Sequence, residues 1–294
     1  MKTVLLALLV LAAGCSRREE PTPRPQPAGS GKATGSGSAA AAPKEPPSYS
    51  PSSDVSDEIE AAIAAPDRSL DDRMLDAGRR PGEVLEFFRI GPKQRIGELF
   101  AGGGYTTELM ARTVGEGGTI YAQNSKEILE KFARKPWTER AKKPVMKNVV
   151  AIVRPIDAPF PPEAKDLDAV ITILNYHDTV WMKADRPKMN KAVFDALKPG
   201  GVYGIVDHSA VVGSGVRDVE TLHRIESEVV RQEVIAAGFK LDGESDVLRV
   251  PGDSRDWSTS PRAAGEKRGT SDRFTLRFIK PTDSPATPPP PAKP

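Results

Sequence analysis

Three histidines lie beside acidic residues in the second half of the chain, and they are its only histidines. His177 stands next to Asp178 in "NYHD", His208 lies in "VDHSA", and His223 lies in "TLHRIE". A histidine next to a carboxylate is suited to act as a general base, and these four residues are the candidate catalytic group. A hydrogen-bonded structural role for each histidine stays open as the alternative.

Metal binding is the third interpretation of the same residues. Histidine and aspartate are good ligands for zinc or iron. The chain has no "HExxH" and no other diagnostic metal spacing, so no residue is assigned as a metal ligand.

A glycine turn is the second feature that can do chemistry. In "GELFAGGGYTTELMA", Glu98 ends an apolar run, glycines fill 102–104, and a helix-like segment starts at Tyr105. Glycine lets the backbone approach a ligand and present N–H groups at a helix N-terminus. No "GK[ST]" follows, which argues against a phosphate-binding P-loop. The next apolar run ends in "YAQNS", which offers Asn124 to a ribose.

Short apolar runs that alternate with helix-like segments must position these residues. The predicted strands are 94–100, 119–123, 148–154, 168–174 and 201–207, and the predicted helices are 105–114, 126–134, 187–197 and 219–237. Segments 240–247 and 273–279 are predicted to form a terminal hairpin. This alternation predicts an α/β fold with a doubly wound, mostly parallel sheet, whose ligands bind beyond the carboxyl ends of the strands. All three histidines are expected at that edge.

Two further segments frame the sheet. "KPGG" at 198–201 is expected to close one helix and turn the chain into the next strand. Residues 56–90 have a helical pattern dense in paired charges, which predicts an N-terminal helical layer solvated on its outer side. The alternative is a lid that turns charged residues toward the ligand; its candidates are Arg68, Asp72, Asp76 and Arg79.

The first residues predict export. One lysine, a short apolar run and small residues before Cys15 are typical of a bacterial lipoprotein signal, although position −3 is Ala12 rather than the commoner Leu. An ordinary cleaved signal with an incidental cysteine is the alternative. Ser16 rather than Asp after the cysteine favours the outer membrane, by resemblance to such lipoproteins. The predicted location is therefore the cell envelope, on the periplasmic side, through a lipid anchor.

Composition divides the remaining chain. Residues 1–14 are the predicted signal peptide, 15–53 a disordered tether rich in Pro, Gly, Ala and Ser, and 281–294 a similar Pro-rich tail. Residues 54–280 provide one folded domain. The formal net charge is +2 and no basic stripe interleaved with aromatics occurs, so nucleic acid is not expected as a partner.

Four segments together resemble a known family. "ELFAGGGYTTELMA", "IDAPFP", "DAVITILNYHD" and "LKPGGVYGIVDHSA" look like a class I S-adenosylmethionine-dependent methyltransferase, close to a group of predicted bacterial methyltransferases. The resemblance implies a seven-stranded Rossmann-like methyltransferase fold and S-adenosylmethionine as cofactor. Phe100 departs from it, because the general motif has its first glycine there. The residues that it places around the cofactor are Glu98, Ala101, Gly102, Gly103, Gly104, Tyr105, Asn124, Asp157 and Asn175.

In that family, Asp157 matches the acid that accepts from the adenine amino group, and Asn175 lies next to the reactive methyl. The resemblance thus implies methyl transfer to a small-molecule or envelope substrate. S-adenosylmethionine is charged and made in the cytoplasm, so an exported protein leaves two alternatives open. One is a protein of this fold that binds another ligand or partner without methyl transfer. The other is a metal-dependent enzyme that uses the His and Asp residues.

Overall fold

The computed structural model describes residues 47–282, and the fold within that range is a seven-stranded sheet flanked by helices. The strand order is β3-β2-β1-β4-β5-β7-β6. Strands β1 to β5 pair in parallel, and β7 pairs antiparallel with both β5 and β6. The predicted doubly wound sheet and its terminal hairpin are confirmed. The predicted signal peptide, Cys15 and the Pro-rich tail from residue 283 lie outside the described residues.

The strands match the apolar runs within a few residues, except where β5 begins. Their bounds are β1 Arg95–Leu99, β2 Thr119–Asn124, β3 Val149–Val153, β4 Leu167–Ile173, β5 Leu197–His208, β6 Lys240–Ser245 and β7 Arg273–Ile279. The expected turn at "KPGG" is instead an irregular entry into β5, because Leu197 already pairs with Leu167. The register then shifts, and regular pairing resumes between Ala169 and Val202.

Ten α-helices lie among the described residues. Their bounds are α1 Asp57–Ala64, α2 Leu70–Arg79, α3 Pro81–Phe87, α4 Tyr105–Val114, α5 Lys126–Ile128, α6 Arg134–Arg140, α7 Asp178–Trp181, α8 Arg186–Ala196, α9 Val219–Leu222 and α10 Ser227–Ala236. A π-helical turn, Leu129–Ala133, joins α5 to α6. No helix in the described part of the chain is both long and apolar enough to span a bilayer.

The predicted long helix over 219–237 is broken at its first third. His223 ends α9 with a left-handed backbone (φ 52°), and α10 starts only at Ser227. Between them, Ile225 forms a β-bridge with Ser209, and the buried Arg224 pairs with Asp253 at 2.8 Å. Helical spacing of the apolar residues continues across the break, which is why the sequence does not reveal it.

Two apolar clusters cover the two faces of the sheet and fix its strands. One includes Leu99, Val170 and Ile205, and the other includes Ile96, Ile171 and Val206. Alternation of neighbouring strand residues between the two clusters is what a parallel sheet buried on both faces requires. The carboxyl ends of β1, β2, β4 and β5 are thereby held rigidly at one edge.

The N-terminal layer is more internal than its charge pattern predicts. Arg68 makes a bidentate ion pair with Asp76 (2.7 and 2.8 Å), and both residues are buried. Asp72 is buried as well and accepts two hydrogen bonds from Arg140 of α6 (2.7 and 2.8 Å). Three of the four charged residues considered for a lid are therefore buried in ion pairs, and the prediction of a solvated layer is wrong for them.

Candidate functional site

The glycine turn lies between β1 and α4, at the point where strand order reverses. Phe100 has a left-handed backbone (φ 54°), the conformation that glycine adopts without cost and that explains the family's glycine at this position. Two hydrogen bonds to Gln123 of β2 hold the turn, from the backbone N–H groups of Phe100 (3.1 Å) and Ala101 (2.9 Å). The Phe100 side chain is buried in the core.

Helix α6 covers part of this turn. A methyl group added at Gly103 would lie 3.1 Å from the Pro136 side chain, and one at Gly104 would lie 2.8 Å from that of Arg140. Arg140 also donates to the Gly103 carbonyl (2.7 Å). At Gly102, by contrast, the nearest atom is the Phe100 carbonyl oxygen, 3.8 Å away. The turn is thus open at Gly102, while the two following glycines pack against the protein itself.

Glu98 lies beneath the turn and is buried. Burial raises the pKa of its carboxyl to about 7, against the opposing effects of a hydrogen bond from Thr107 and the charges of Arg140 and Arg79. Its only described hydrogen bond is to Thr107 at the start of α4. This contact places Glu98 as a support of the turn, and its predicted contact with the cofactor stays a prediction.

Asn124, expected to meet a ribose, forms hydrogen bonds with the turn. Its side-chain oxygen accepts from the Gly102 N–H (2.9 Å), and its amide donates to the Gly102 carbonyl (3.2 Å). A ribose contact would have to replace one of these bonds. Asp157 is more accessible: it forms an ion pair with the exposed Lys188 (2.9 Å). Asn175 donates to Asp178 at 2.8 Å, which ties the end of β4 to the histidines.

The three histidines meet at the carboxyl ends of β4 and β5, as the sequence predicts. The ring centre of His177 lies 5.9 Å from that of His208 and 5.4 Å from that of His223. His177 is buried, and its Nδ1 contacts Asp207 (2.7 Å) while its Nε2 contacts Asp178 (3.1 Å). Asp207, at the end of β5, also accepts from the His177 and His208 backbone N–H groups.

His177 is a charged residue at neutral pH. Burial alone lowers its pKa, but the Asp207 carboxylate and the hydrogen bonds to Asp178 and Asp207 outweigh burial and raise the pKa to about 10. An imidazolium has no lone pair with which to accept a proton. The geometry therefore makes His177 a cationic link between two carboxylates, and the general-base role predicted for this group passes to a neighbour.

His208 has the opposite character. Burial and the charges of His177 and Arg273 lower its pKa well below the ordinary value of histidine, so it is neutral at physiological pH. Its Nδ1 contacts the Ser271 hydroxyl at 2.8 Å. If Nδ1 accepts from Ser271, Nε2 carries the proton; if it donates, the lone pair of Nε2 is free to act as a base.

His223 completes the cluster from the break between α9 and α10. Its Nδ1 lies 3.8 Å from Asp178, so it is at the limit of an ion pair. The acid expected beside it, Glu226, instead accepts from the backbone N–H groups of Gly213 (2.9 Å) and Gly215 (2.8 Å). Besides its contact with His177, Asp178 accepts hydrogen bonds from Asn175 (2.8 Å) and Trp181 (2.7 Å).

The sequence did not predict that two arginines line one cavity. Arg79 of α2 and Arg273 of β7 both line a small apolar cavity between the N-terminal helices and the ends of β4 and β5. Arg79 appeared only among four charged residues of a possible lid, and nothing in the sequence marks Arg273. Their separation of nearly two hundred residues hides the pair, and only the antiparallel register of β5 and β7 places Arg273 opposite His208.

Comparisons with known proteins agree on the architecture. No protein-family model matches the chain, and no curated protein does. A putative sarcosine dimethylglycine methyltransferase from Galdieria sulphuraria aligns with a TM-score of 0.51 at 15% identity, over 73% of this chain and 89% of that one. The [4+2]-cyclase SpnF aligns with a TM-score of 0.51 at 18% identity, over 74% and 84%. A SAM-dependent methyltransferase from Aquifex aeolicus has a TM-score of 0.49 at 16% identity, over 68% and 89%.

These similarities establish a Rossmann-like methyltransferase fold, with its seven-stranded mixed sheet. Sequence identities this low support a similarity of fold and nothing beyond it. One of the two structures with a TM-score of 0.51 is named a methyltransferase and the other a cyclase, so the fold leaves the reaction open. The reaction must be argued from the site.

Proposed function

We propose that this chain is an S-adenosylmethionine-dependent methyltransferase that acts on a small molecule or an envelope component. The observation that carries the proposal is that residues able to bind the cofactor and to accept a proton lie at one edge of the sheet. The open glycine of the turn follows β1, Asp157 follows β3 and Asn175 follows β4, while the neutral His208 ends the neighbouring strand β5. Ligands of doubly wound sheets bind at this edge.

The residues present fit the cofactor. Gly102 leaves open space next to the turn, and the Asp157 side chain is partly exposed, free to exchange Lys188 for an amino group of adenine. When bound, the cofactor supplies a methyl group on a positively charged sulfur. His208 accepts the proton of the attacking acceptor at Nε2, and the Ser271 hydroxyl orients its ring through Nδ1. The link from His177 to Asp207 and Asp178 holds the ends of β4 and β5 in position.

The binding prediction concerns Asp157. S-adenosylmethionine should bind the full chain in calorimetry, and Asp157→Ala should weaken binding about 10- to 100-fold, because a charge-assisted hydrogen bond contributes roughly 1.5–3 kcal/mol. Asp195→Ala is the matched control, since Asp195 forms a similar exposed pair with Lys191 on α8. Absence of heat at millimolar cofactor would contradict the proposal and favour a protein of this fold that binds another ligand.

Envelope localisation is part of the proposal and rests on the sequence of residues 1–53, most of which lie outside the described residues. Removing the only thiol in the chain removes the site of lipidation. The variant Cys15→Ser should therefore leave the membrane fraction, whereas the control Ser16→Ala should stay in it, as scored by cell fractionation. A Cys15→Ser protein that still pellets with membranes would show that the anchor lies elsewhere.

A metal-dependent enzyme is the second candidate function, and one observation favours it. Donor atoms of His177, Asp178 and His223 all lie within 4.8 Å of one another. The contact of His177 Nδ1 with the buried Asp207 is the kind of second hydrogen bond that metal-ligating histidines make. His208 does not belong to this group. A metal ion at Nε2 would have to displace the proton that His177 shares with Asp178.

Elemental analysis of the purified full chain separates this candidate from the first. A metal enzyme should carry about one zinc or iron per chain, and His223→Ala should lose it because one of three ligands is gone. His208→Ala should retain the metal and serves as the matched control. Equal, substoichiometric metal in all three proteins would exclude the metal site.

A further inference from the structure

Two arginines next to the site have no acidic partner. Among residues 47–282, neither Arg79 nor Arg273 forms an ion pair. Arg273 is 3% exposed, and its guanidinium donates to the carbonyl groups of Ser271 (3.1 Å) and Gly269 (2.9 Å). The Arg79 guanidinium lies over the Tyr105 ring, 4.5 Å from its centre. A buried charge without a counter-ion is costly, and proteins retain one chiefly where a ligand supplies the opposite charge.

The nearby carboxylates already have other partners, and Glu98, whose pKa burial raises and the charge of Arg79 lowers, accepts a hydrogen bond from Thr107. Asp76 accepts two hydrogen bonds from Arg68 and a third from the Tyr105 hydroxyl (2.6 Å). Asp72 is bound by Arg140 at 2.7 and 2.8 Å.

On the other side, Asp272 pairs with Arg249 (3.2 Å) and Arg255 (2.6 Å), and Asp253 pairs with Arg224. None of these acids is available to Arg79 or Arg273 without breaking an existing pair.

Both arginines line the same cavity. Its walls are otherwise apolar and come from Val84 and Leu85 of α3, Ile173 and Leu174 at the end of β4, and Val206 of β5. Burial, and after it the charge of Arg79, lower the pKa of Arg273 to about 10. Among the described residues that line the cavity, the two arginines alone are charged.

The cavity adjoins the proposed base. His208 and Arg273 are directly opposite in the antiparallel register of β5 and β7, and residues so paired project from the same face of the sheet. The rest of a ligand that is bound at Arg273 therefore lies on the same face of the sheet as His208.

We propose that Arg79 and Arg273 bind the carboxylate of a small organic acid whose apolar part fills the cavity and whose reactive end points toward His208. A planar carboxylate matches the guanidinium fork, and the pairing supplies the missing counter-charge. This inference rests on the proposed function in one respect, namely which molecule carries the carboxylate. It belongs either to the acceptor molecule or to the amino-acid end of the cofactor.

The test uses propionate, a carboxylate with a short apolar tail, and propionamide, its neutral analogue, with the full chain. Propionate should bind and raise the melting temperature, and propionamide should do neither. Arg79→Gln and Arg273→Gln should each weaken propionate binding at least ten-fold, because each removes a charge-assisted hydrogen bond. Arg249→Gln, which alters an arginine already paired with Asp272, should leave binding unchanged.

A second readout separates binding from folding. Arg79 is half-buried and forms no ion pair within the described part of the chain, so Arg79→Gln should keep the melting temperature of the ligand-free protein. Equal binding of propionate and propionamide, absence of propionate binding, or full binding by the double variant Arg79→Gln/Arg273→Gln would each overturn the proposal.

Competition with S-adenosylhomocysteine identifies the source of the carboxylate. If it displaces propionate and itself binds less tightly to Arg79→Gln, the carboxylate is that of the cofactor. If propionate still binds at saturating S-adenosylhomocysteine, the acceptor supplies the carboxylate. Propionate binding without any binding of S-adenosylhomocysteine or S-adenosylmethionine would retain the carboxylate site and contradict only the proposed methyltransferase function.

Discussion

Replacing His208 by Ala should lower the rate constant of methyl transfer by about 10²–10⁴-fold, the usual contribution of a positioned general base. The expected loss is this large because His208 is neutral and its ring contacts Ser271, whereas the rings of His177 and His223 both contact the Asp178 carboxylate. His177 cannot replace it, since its ring is protonated and donates to two acids.

The pH profile gives this prediction its sign. Burial and the neighbouring positive charges hold the pKa of His208 well below 6.5, so the base is already deprotonated at neutral pH. The wild-type rate should stay level from neutral pH upward and fall only in acid. The measurement is formation of S-adenosylhomocysteine with an acceptor found by screening small nucleophiles.

Two controls keep the result interpretable. Cofactor binding to His208→Ala should equal that of the wild type, because the ring lies on the acceptor side. Ser271→Ala keeps the base but loses its orientation, so its rate should fall less than that of His208→Ala. A His208→Ala protein that binds cofactor and retains the wild-type rate would assign the base to another residue.

Replacing His177 by Ala should lower the free energy of unfolding by about 3–5 kcal/mol, the usual result of removing one partner of a buried ion pair. Asp207 is fully buried and would lose the imidazolium at 2.7 Å, while Asp178 would lose a partner at 3.1 Å. The backbone N–H groups that remain on Asp207 do not replace the lost positive charge.

The stability difference should depend on pH in a defined direction. The pKa of His177 rises from 6.5 to about 10 on folding, so its stabilising contribution is complete below pH 6.5 and is lost as the pH rises through about 10. Urea unfolding of the wild type and His177→Ala at pH 6, 8 and 10 should show a difference that shrinks with increasing pH. His223→Ala, a more exposed member of the cluster, is the control and should change stability less.

A difference that stays constant over this range would contradict the charged state of His177. It would mean that the ring is neutral in the folded protein and that its contacts with Asp207 and Asp178 are ordinary hydrogen bonds.

Much of the fold was predictable because its signals are local. The apolar runs at β1, β2, β3 and β4 lie within one or two residues of the observed strands, since a strand buried on both faces must be apolar throughout. The irregular start of β5 and the interruption of the helix at His223 were harder to predict. "KPGG" lies inside β5 because Leu197, just before it, pairs with Leu167. His223 interrupts a helical pattern because Ile225 forms a bridge with Ser209, just after the end of β5. Both outcomes depend on partners distant in sequence.

By itself, the sequence determined the sheet class, the glycine turn and the convergence of three histidines on one edge, because strand ends follow directly from the hydrophobic pattern. Only the tertiary structure decided what each histidine can do. His177 became a cation because two acids meet its ring, and His208 became neutral because burial and positive charges surround it. The presence of Arg79 and Arg273 at one cavity likewise arises from strand register and helix packing. Protonation states depend on neighbours in space, and a sequence orders residues only along the chain.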